Sequence, residues 1–574
     1  MKRWPGLREE KLPSKTVVCL ILLIHCTLLV HHARVHSPGW DEVGHFGSGM
    51  VHLQTGVFDL YRVNPPLVRT WACLLPYAAG ATSELSDGDV YSGPTQRGEF
   101  WVGQKLMDRY GPSYMGYLEL ARYLCIPFSL LGALSIYDLS KLVFGPRSAV
   151  AGLTLWCFSP LVLGHGSMIT PDMPAAATAC FTVCMLVRWQ STKAWLAASI
   201  TGVALGIAIL TKLTNLILIP IVCLVCIYPF LRKRERAQLP KATLQLLLSG
   251  LMAIYVINLG YGFERSFTRL GEFRFVSRLF AGEIEKGEST GNRFAGTMLA
   301  SVPVPVPANM LQGIDVQRRD FQNGMISFLG GRWEDRGWWY YYIYGFFVKE
   351  PVGTIVLVCF GGLFIRRFFV STSENAMLYI VFPAVMIIAF VSSQTGFNHH
   401  LRYTLPAYPF LYVLASSVVA INDSRVRRIG VICITSSVIS CLMVCPHSMS
   451  YFNAMAGGPR GGHKHLHNSN LDWGQDVLFL HEWLKDHPEA RPIQVDFSGG
   501  FDPNALRIWD DQTEFHQIDS KDVKQLLNGK SPKPYYAVSI GHLCDPTSPL
   551  DRFATFRGKE LYGRAGYSIL IYRQ

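Results

Sequence analysis

Residues 16–49 read TVVCLILLIHCTLLVHHARVHSPGWDEVGHFGSG, an apolar run closed by His31, His32 and Arg34 and followed at once by Asp41, Glu42 and His45. About 20 mostly apolar residues cross the hydrocarbon of a bilayer as a helix, so 16–34 reads as a membrane span. No small-residue cleavage site follows it, which makes it an anchor rather than a cleaved signal. Two carboxylates just past such a span are costly unless they are paired or at work. Which of the two applies depends on the rest of the chain.

Across the 574 residues, apolar side chains make up 49% and charged ones only 16%. Soluble domains carry about 25% charge, so the composition points to a polytopic membrane protein. The net charge of +12 then belongs to cytoplasmic loops and calls for no nucleic-acid partner. The same length rule gives ten further spans: 117–137, 149–165, 173–189, 194–211, 213–231, 242–261, 352–369, 376–394, 404–421 and 429–446. With the N-terminus inside, the inner segments collect Lys2, Arg3, Arg8, Lys11 and Lys15, the run Arg232–Arg236 with Lys241, and Arg425, Arg427 and Arg428. The short outer loops hold only Lys212 and Arg402, as the positive-inside rule requires.

The expected fold is therefore a polytopic α-helical membrane protein of about eleven transmembrane helices, with the C-terminus outside the cell. Segments 35–116, 262–351 and 447–574 face outward. Residues 1–446 form the transmembrane domain. Residues 447–574 mix a helical stretch (DVLFLHEWLKDHPE) with strand-like ones (PIQVDFSGG, YYAVSI, GYSILIYR), and read as a soluble extracytoplasmic α/β domain. The aromatic run GRWEDRGWWYYYIYGFF at 331–347 suits a membrane–water boundary. Most of the fourteen cysteines lie inside apolar runs and act as small hydrophobes, including the Cys223-x-x-Cys226 pair. Only Cys73, Cys544 and Cys445 fall outside, too few for a disulfide framework.

With this topology several polar residues gather at outer helix ends. Asp41, Glu42 and His45 are joined by Asn64 in NPPL, His165 and Asp172 in GHGSMITPDMP, and Lys212 in TKLTN. FVKEP brings Lys349, and GFNHHLRYTLPAYP brings His399, His400, Arg402 and Tyr403. Each has a plainer reading. Lys212 and Arg402 can snorkel to head groups, Asp172 can simply begin a helix, and the two histidines can be ordinary loop residues. Taken together, carboxylates from the first outer loop and cations from three other helix ends suit one chemistry, glycosyl transfer from a lipid-linked sugar phosphate. An acceptor hydroxyl needs a base. A phosphate leaving group needs fixed positive charge rather than a general acid. A glycosidase would need a second carboxylic acid opposite the first.

The ordered set WDEVGHFGSG…YRVNPPL, TPDMP, VKEP and NHHLRYTLPAYPFL resembles the GT-C superfamily of membrane glycosyltransferases over roughly residues 16–446. Its nearest likeness is to the dolichyl-phosphate-mannose–protein mannosyltransferase group and the aminoarabinose transferase of lipid A modification. The tail HNSNLDWGQDVLFLHEWL (467–484) looks like the segment after the last span in bacterial relatives whose acceptor is unassigned. The resemblance implies an inverting transferase that uses a polyprenyl-phosphate sugar at the outer face of a bacterial cytoplasmic membrane. The acceptor is a protein, lipid or glycan. It maps the base onto Asp41, with Glu42 beside it, and a second acid onto Asp172. The donor phosphate falls to Lys349, Arg402 and Lys212, with Tyr403 alongside. His45, Asn64, His165 and His400 are expected around the substrates. Some members use a divalent cation and others do not, and Asp41, Glu42, His45 and Asp172 are the residues that could hold one.

In the tail, Asp472 and Trp473 suit sugar binding by hydrogen bonding and stacking, while Asn470 or Asp472 equally suits capping of the following helix. GGPRGGHKHLH at 457–467 reads as a connection rather than a phosphate cradle. A multi-pass transporter or lipid flippase is the main rival reading. It is disfavoured because the ionisable residues lie at helix ends and the spans read as continuous. A non-catalytic scaffold displaying the outer domain would not explain the clustered charges.

Overall fold

A computed structural model describes residues 14–85, 97–231, 239–284, 288–368, 377–519, 522, 533–543 and 553–574. Lys2, Arg3, Arg8, Lys11, the 232–236 basic cluster and Cys544 lie outside them. Every predicted span falls on helix. Lys15–Val35 is capped by the Ser14 hydroxyl, which accepts from the Thr16 amide. Tyr114–Phe144, Asp172–Thr192, Trp195–Thr211 and Leu239–Gly260 follow. Among the described residues four stretches are long and apolar enough to cross a membrane by length and composition: Lys15–Val35, Gly98–Phe144, Leu239–Gly260 and Leu401–Ala420.

Four spans are interrupted where continuous helix was expected, among them 213–231, which opens as a 3₁₀ turn Leu213–Ile217 before the α-helix Leu218–Leu231. The 149–165 stretch divides into Pro146–Cys157 and Pro160–His165. Ser159 caps the second piece through the Val162 amide, and Pro160 has no N–H with which to continue the first. The 404–421 stretch runs as a 3₁₀ turn Leu401–Ala407, an α-helix Tyr408–Ser416 and a second 3₁₀ turn Ser417–Ala420. Within 376–394, a π turn Met377–Val381 precedes Phe382–Ser392.

Asp172–Thr192 runs almost fully buried through the bundle. Beside it, Trp195–Thr211 presses on Leu239–Gly260 through two glycines. A Cβ on Gly202 would stand 2.2 Å from the Ser249 carbonyl oxygen, and one on Gly206 would stand 2.8 Å from that of Ala253. Small residues four apart let two helices close to backbone contact where lipid supplies no hydrophobic drive.

The segments expected outside contain the helices Trp40–Thr55, Gly98–Tyr110, Ala308–Asn323 and Tyr341–Lys349. The aromatic run also contains a hairpin absent from the sequence reading. Its strands are β1 (Ser327–Leu329) and β2 (Arg332–Glu334). They join through Gly330 and Gly331, both at positive φ, as a two-residue turn requires.

The C-terminal sheet contains β3 (Ile493–Asp496), β4 (Thr513–Phe515), β5 (Tyr535–Ser539), β6 (Leu561–Ala565) and β7 (Ile569–Arg573) in the order β4-β3-β5-β7-β6. β3 runs parallel to β4 and β5, while β7 runs antiparallel to β5 and β6. The expected helix is Val477–Asp486, and the 457–467 run forms short helical turns. One hydrophobic cluster joins Val43, Phe46 and Leu106 of the first outer segment to Val477, Ile493 and Ile571. The boundary drawn at residue 446 is therefore crossed by a shared core.

The glycine contact can be tested directly. Gly202→Ala should cost about 1–3 kcal/mol, the usual price of overpacking, in detergent-solution unfolding. Gly250→Ala on the neighbouring helix, where a Cβ meets nothing within 4 Å, should cost far less. Equal losses at the two positions would remove the close-approach argument.

Candidate active site

Asp41 lies in the first turn of Trp40–Thr55, whose N-cap is Gly39. Its neighbour Glu42 turns inward instead. Oε2 of Glu42 accepts from the Gly39 amide at 2.8 Å, and Oε1 from the Ile169 amide at 2.9 Å. Arg122 adds a two-pronged pair, Nε to Oε1 at 3.0 Å and Nη2 to Oε2 at 2.5 Å. The same guanidinium donates to the carbonyls of Ala33, His36 and Ser37 at the end of the first helix. Glu42 is fully buried and both of its oxygens are engaged. The catalytic expectation for it gives way to a structural one: it latches the Asp41 helix to the first span. Arg122 was missed, although an arginine inside the 117–137 span was itself a signal.

Asp172 opens its helix directly after Pro171. Lys212 sits at the turn into the 3₁₀ segment Leu213–Ile217. The Asn215 amide pins that turn by donating to the carbonyls of Ala175 and Ala208. Arg402 belongs to the turn Leu401–Ala407, whose first amide donates to Asn470 Oδ1 at 2.9 Å.

These three meet. Lys212 Nζ donates to Asp172 Oδ1 at 2.5 Å, and Arg402 Nη1 to Asp172 Oδ2 at 3.1 Å. Arg402 Nη2 reaches across to Asp41 Oδ2 at 2.8 Å. Two acids thus face two cations, and all but Asp41 are buried; the Asp41 side chain keeps 23% of its surface open. Burial pushes the Asp172 carboxyl up, but Lys212 and Arg402 outweigh it and hold the group well below the usual carboxylate range. Neither cation reaches out to head groups, so the snorkelling reading fails on burial.

Aromatic rings wall the cluster. Tyr403 lies 4.7 Å from Lys212 Nζ, and Trp473 covers Arg402 with its ring centroid 4.1 Å from the guanidinium carbon. Nε of Arg402 has no hydrogen-bond partner among the described residues, and neither does Nδ1 of His165. Arg402, His165 and Lys349 line one small cavity with Ser448, Ser469 and Asn470.

The other expected residues are distributed unevenly. His45 is buried against Tyr61, rings 4.5 Å apart, and burial keeps it neutral. His165 is edge-on to Trp473 at 6.1 Å. His400 Nδ1 pairs with the Ser469 hydroxyl at 2.7 Å, and burial lowers its pKa. Asn64 contributes its carbonyl, which accepts from Arg69 Nη1 at 2.8 Å. Lys349 borders the cavity, yet its ammonium donates to the carbonyls of Met449 and Asn470, and burial lowers its pKa to about 7. Its expected phosphate contact would require exchanging those carbonyls.

Asp472 departs further. Its oxygens accept from the Gly541 and Gly474 amides at 3.2 and 3.3 Å, and burial pushes its carboxyl up to about 7. It stitches the tail to the end of β5 and faces no open space. Asp476 is the N-cap of Val477–Asp486, so neither Asn470 nor Asp472 has the capping role considered for them.

Two further residues had no sequence signal beyond their type. Tyr61 holds a left-handed backbone at φ 58 and places its ring near both Arg69 and Arg97. Glu350 is buried, accepts from the Tyr412 hydroxyl at 3.1 Å, and burial raises its pKa to about 8. As a metal site, the set Asp41, Glu42, His45 and Asp172 does not fit: Arg122 occupies Glu42, and the Arg402 guanidinium lies between the two aspartates. Among the described residues, the ligand atoms that do converge are those of His516, Asp519 and Asp522, towards the surface of the C-terminal domain.

Interrupted apolar helices, four described stretches long and apolar enough to cross a membrane, and carboxylates and cations gathered at helix ends describe an integral membrane protein. Residues 118–259 match the family model described as dolichyl-phosphate-mannose-protein mannosyltransferase, which bears out the GT-C resemblance of the motifs. That match spans the helices carrying Arg122, Asp172 and Lys212. Compared with curated protein sequences, the chain matches none. Among solved structures it is similar to ArnT from Cupriavidus metallidurans bound to undecaprenyl phosphate, with TM-score 0.42, 13% identity and 98% of each chain covered. It is also similar to the oligosaccharyltransferase AglB from Archaeoglobus fulgidus with an inhibitory peptide and a dolichol-phosphate. There the TM-score is 0.40 at 12% identity, covering 74% of this chain and 54% of that one.

Two outcomes follow from the buried pairs. Arg122→Met strands the Glu42 carboxylate and should cost about 3–5 kcal/mol in unfolding. Adding Glu42→Gln should recover part of that loss rather than deepen it. Because the Asp472 pKa is raised, its contribution to stability is full below about pH 4 and is lost as the pH rises through about 7. The wild type should therefore lose stability relative to Asp472→Asn across that window, and parallel pH curves would contradict it.

Proposed function

We propose that this chain transfers a sugar from a polyprenyl-phosphate donor to an acceptor hydroxyl at the outer face of the membrane, with inversion. Asp41 is the base. Arg402, Lys212 and, at the cavity edge, Lys349 bind the donor phosphate, with Tyr403 packed against the first two. The C-terminus is outside, as the Lys and Arg distribution suggests, and the chain resides in a bacterial cytoplasmic membrane, as the resemblance of its motifs suggests. The observation that carries this reading is Arg402, whose guanidinium reaches both aspartates while its Nε is left open.

The chemistry follows. The acceptor oxygen attacks the anomeric carbon as the bond from that carbon to the phosphate oxygen breaks. The acceptor proton passes to Asp41, and the electron pair leaves with the polyprenyl phosphate. Cations preorganised in a dry site stabilise the charge growing on that phosphate. An arriving phosphate competes with the two carboxylates for Arg402. Asp41, the more exposed partner, yields first and is thereby released to act as base, while Asp172 stays held by Lys212. In this reading His45, Asn64, His165 and His400 bear on the substrates by shape and hydrogen bonding.

The broken 149–165 and 404–421 helices lend some support to the transporter or flippase reading, since transporters use discontinuous helices at their sites. One experiment separates the two. Purified protein is offered polyprenyl-phosphate sugars in detergent, and release of polyprenyl phosphate is followed. Asp41→Asn should lower turnover by at least about 10²-fold, as loss of a general base does, with little change in donor KM. Arg402→Ala should raise the donor KM as well as slow turnover. Turnover unaffected by Asp41→Asn, or solute uptake into proteoliposomes by that variant, would refute the transferase.

A further inference from the structure

The C-terminal domain does not merely sit beside the charged cluster. Its segment 468–476 threads between the elements that carry the cluster. The Trp40 amide, next to Asp41, donates to the Trp473 carbonyl at 2.9 Å, and the Ser37 amide donates to Gln475 at 3.1 Å. Asn470 receives the Leu401 amide, beside Arg402, and donates to the His399 carbonyl at 2.8 Å. Between these two anchors Trp473 is 5% exposed, its own amide donating to Gln475 Oε1 at 2.7 Å. Met168 and Met449 pack around it. Its indole face lies over the Arg402 guanidinium, and the edge of His165 meets it on the cavity side.

A guanidinium that addresses two carboxylates through its two Nη groups must keep its plane. Its Nε and both faces must also stay out of water if a phosphate is to be bound strongly. Asp41, Asp172 and Lys212 act at its edges, and Tyr403 stands farther off, at 5.5 Å. The broad face is covered by Trp473 alone among the described rings within 5 Å of that group. We infer that Trp473, delivered by the C-terminal domain, is the positioning residue of Arg402, so that the soluble domain completes the donor-phosphate site. It acts through Arg402 and touches no reacting atom. This inference rests on the transferase reading above and assigns that site a component from the far end of the chain. The stack gives that domain a reason to be there.

The experiment uses the full chain in detergent and undecaprenyl phosphate as probe, with undecaprenol as the uncharged control. Trp473→Phe keeps an aromatic face, whereas Trp473→Leu keeps apolar volume without one. A cation–π contact in a desolvated site is worth about tenfold or more in affinity. Trp473→Phe should therefore bind the probe within about threefold of wild type, and Trp473→Leu about tenfold more weakly, with undecaprenol binding the same in all three. In an Arg402→Gln background, which removes the cation, Phe and Leu at 473 should become equivalent. Equal affinities for the two variants in the wild-type background would overturn the stacking role while leaving the transferase reading intact. A wild type that fails to distinguish the phosphate from the alcohol would overturn the phosphate site itself, and this inference with it.

Discussion

Arg402 stands between two aspartates that lie far apart in the chain, and the rest of the site is arranged around keeping it there. A guanidinium has five donors in a fixed fork, so it can hold two carboxylates at once where an ammonium would serve as a point charge. Burying such a group is expensive. It is tolerated because Asp41 and Asp172 offset its charge, Lys212 offsets the remaining acid, and aromatic faces replace the water lost from above. Two positive and two negative charges make a neutral cluster, and that neutrality has a chemical consequence. No cation in it is idle, so an anionic ligand that takes the Nη groups of Arg402 must displace a carboxylate. The same competition that admits a phosphate would release a base.

The cluster depends on supports that carry no chemistry themselves. Glu42 and Arg122 fasten the Asp41 helix to the end of the first span with hydrogen bonds buried on every side. Asn215 fixes the turn that presents Lys212, and Asn470 fixes the turn that presents Arg402. Each support satisfies backbone groups at an interrupted or terminal helix, where carbonyls and amides lack intrahelical partners. Helix breaks and charged side chains therefore occur together. A break exposes backbone that must be satisfied, and the polar residues that satisfy it also define the site.

Much of this was legible in the residues. Apolar length placed the predicted spans largely on helix within the described residues, because bilayer thickness sets helix length independently of any tertiary contact, although four stretches there are long and apolar enough to cross a membrane. Asp41, Asp172, Lys212 and Arg402 drew attention because charges at span ends are rare and costly. The strand-like stretches found β3, β5 and β7 but not β4, β6 or the small β1–β2 hairpin, whose pairing depends on partners rather than pattern. The breaks at Ser159–Pro160 and around Pro406 were marked by proline but overlooked in long apolar runs, where hydropathy is insensitive to hydrogen-bond gaps.

Sequence alone determined that this chain carries apolar helices with an α/β domain after them, and that helix ends far apart in the chain carry both signs of charge. Hydropathy and charge are properties of each residue in place, so they survive without coordinates. Only the tertiary structure decided between neighbours of the same chemical type. It turned Glu42 inward to Arg122 and Asp41 outward to Arg402, tied Lys349 and Asp472 to backbone, and laid Trp473 on a guanidinium seventy-one positions earlier in the chain. Adjacent residues on a helix point about 100° apart. Which of them meets a partner from elsewhere in the chain is set by packing that no local pattern records.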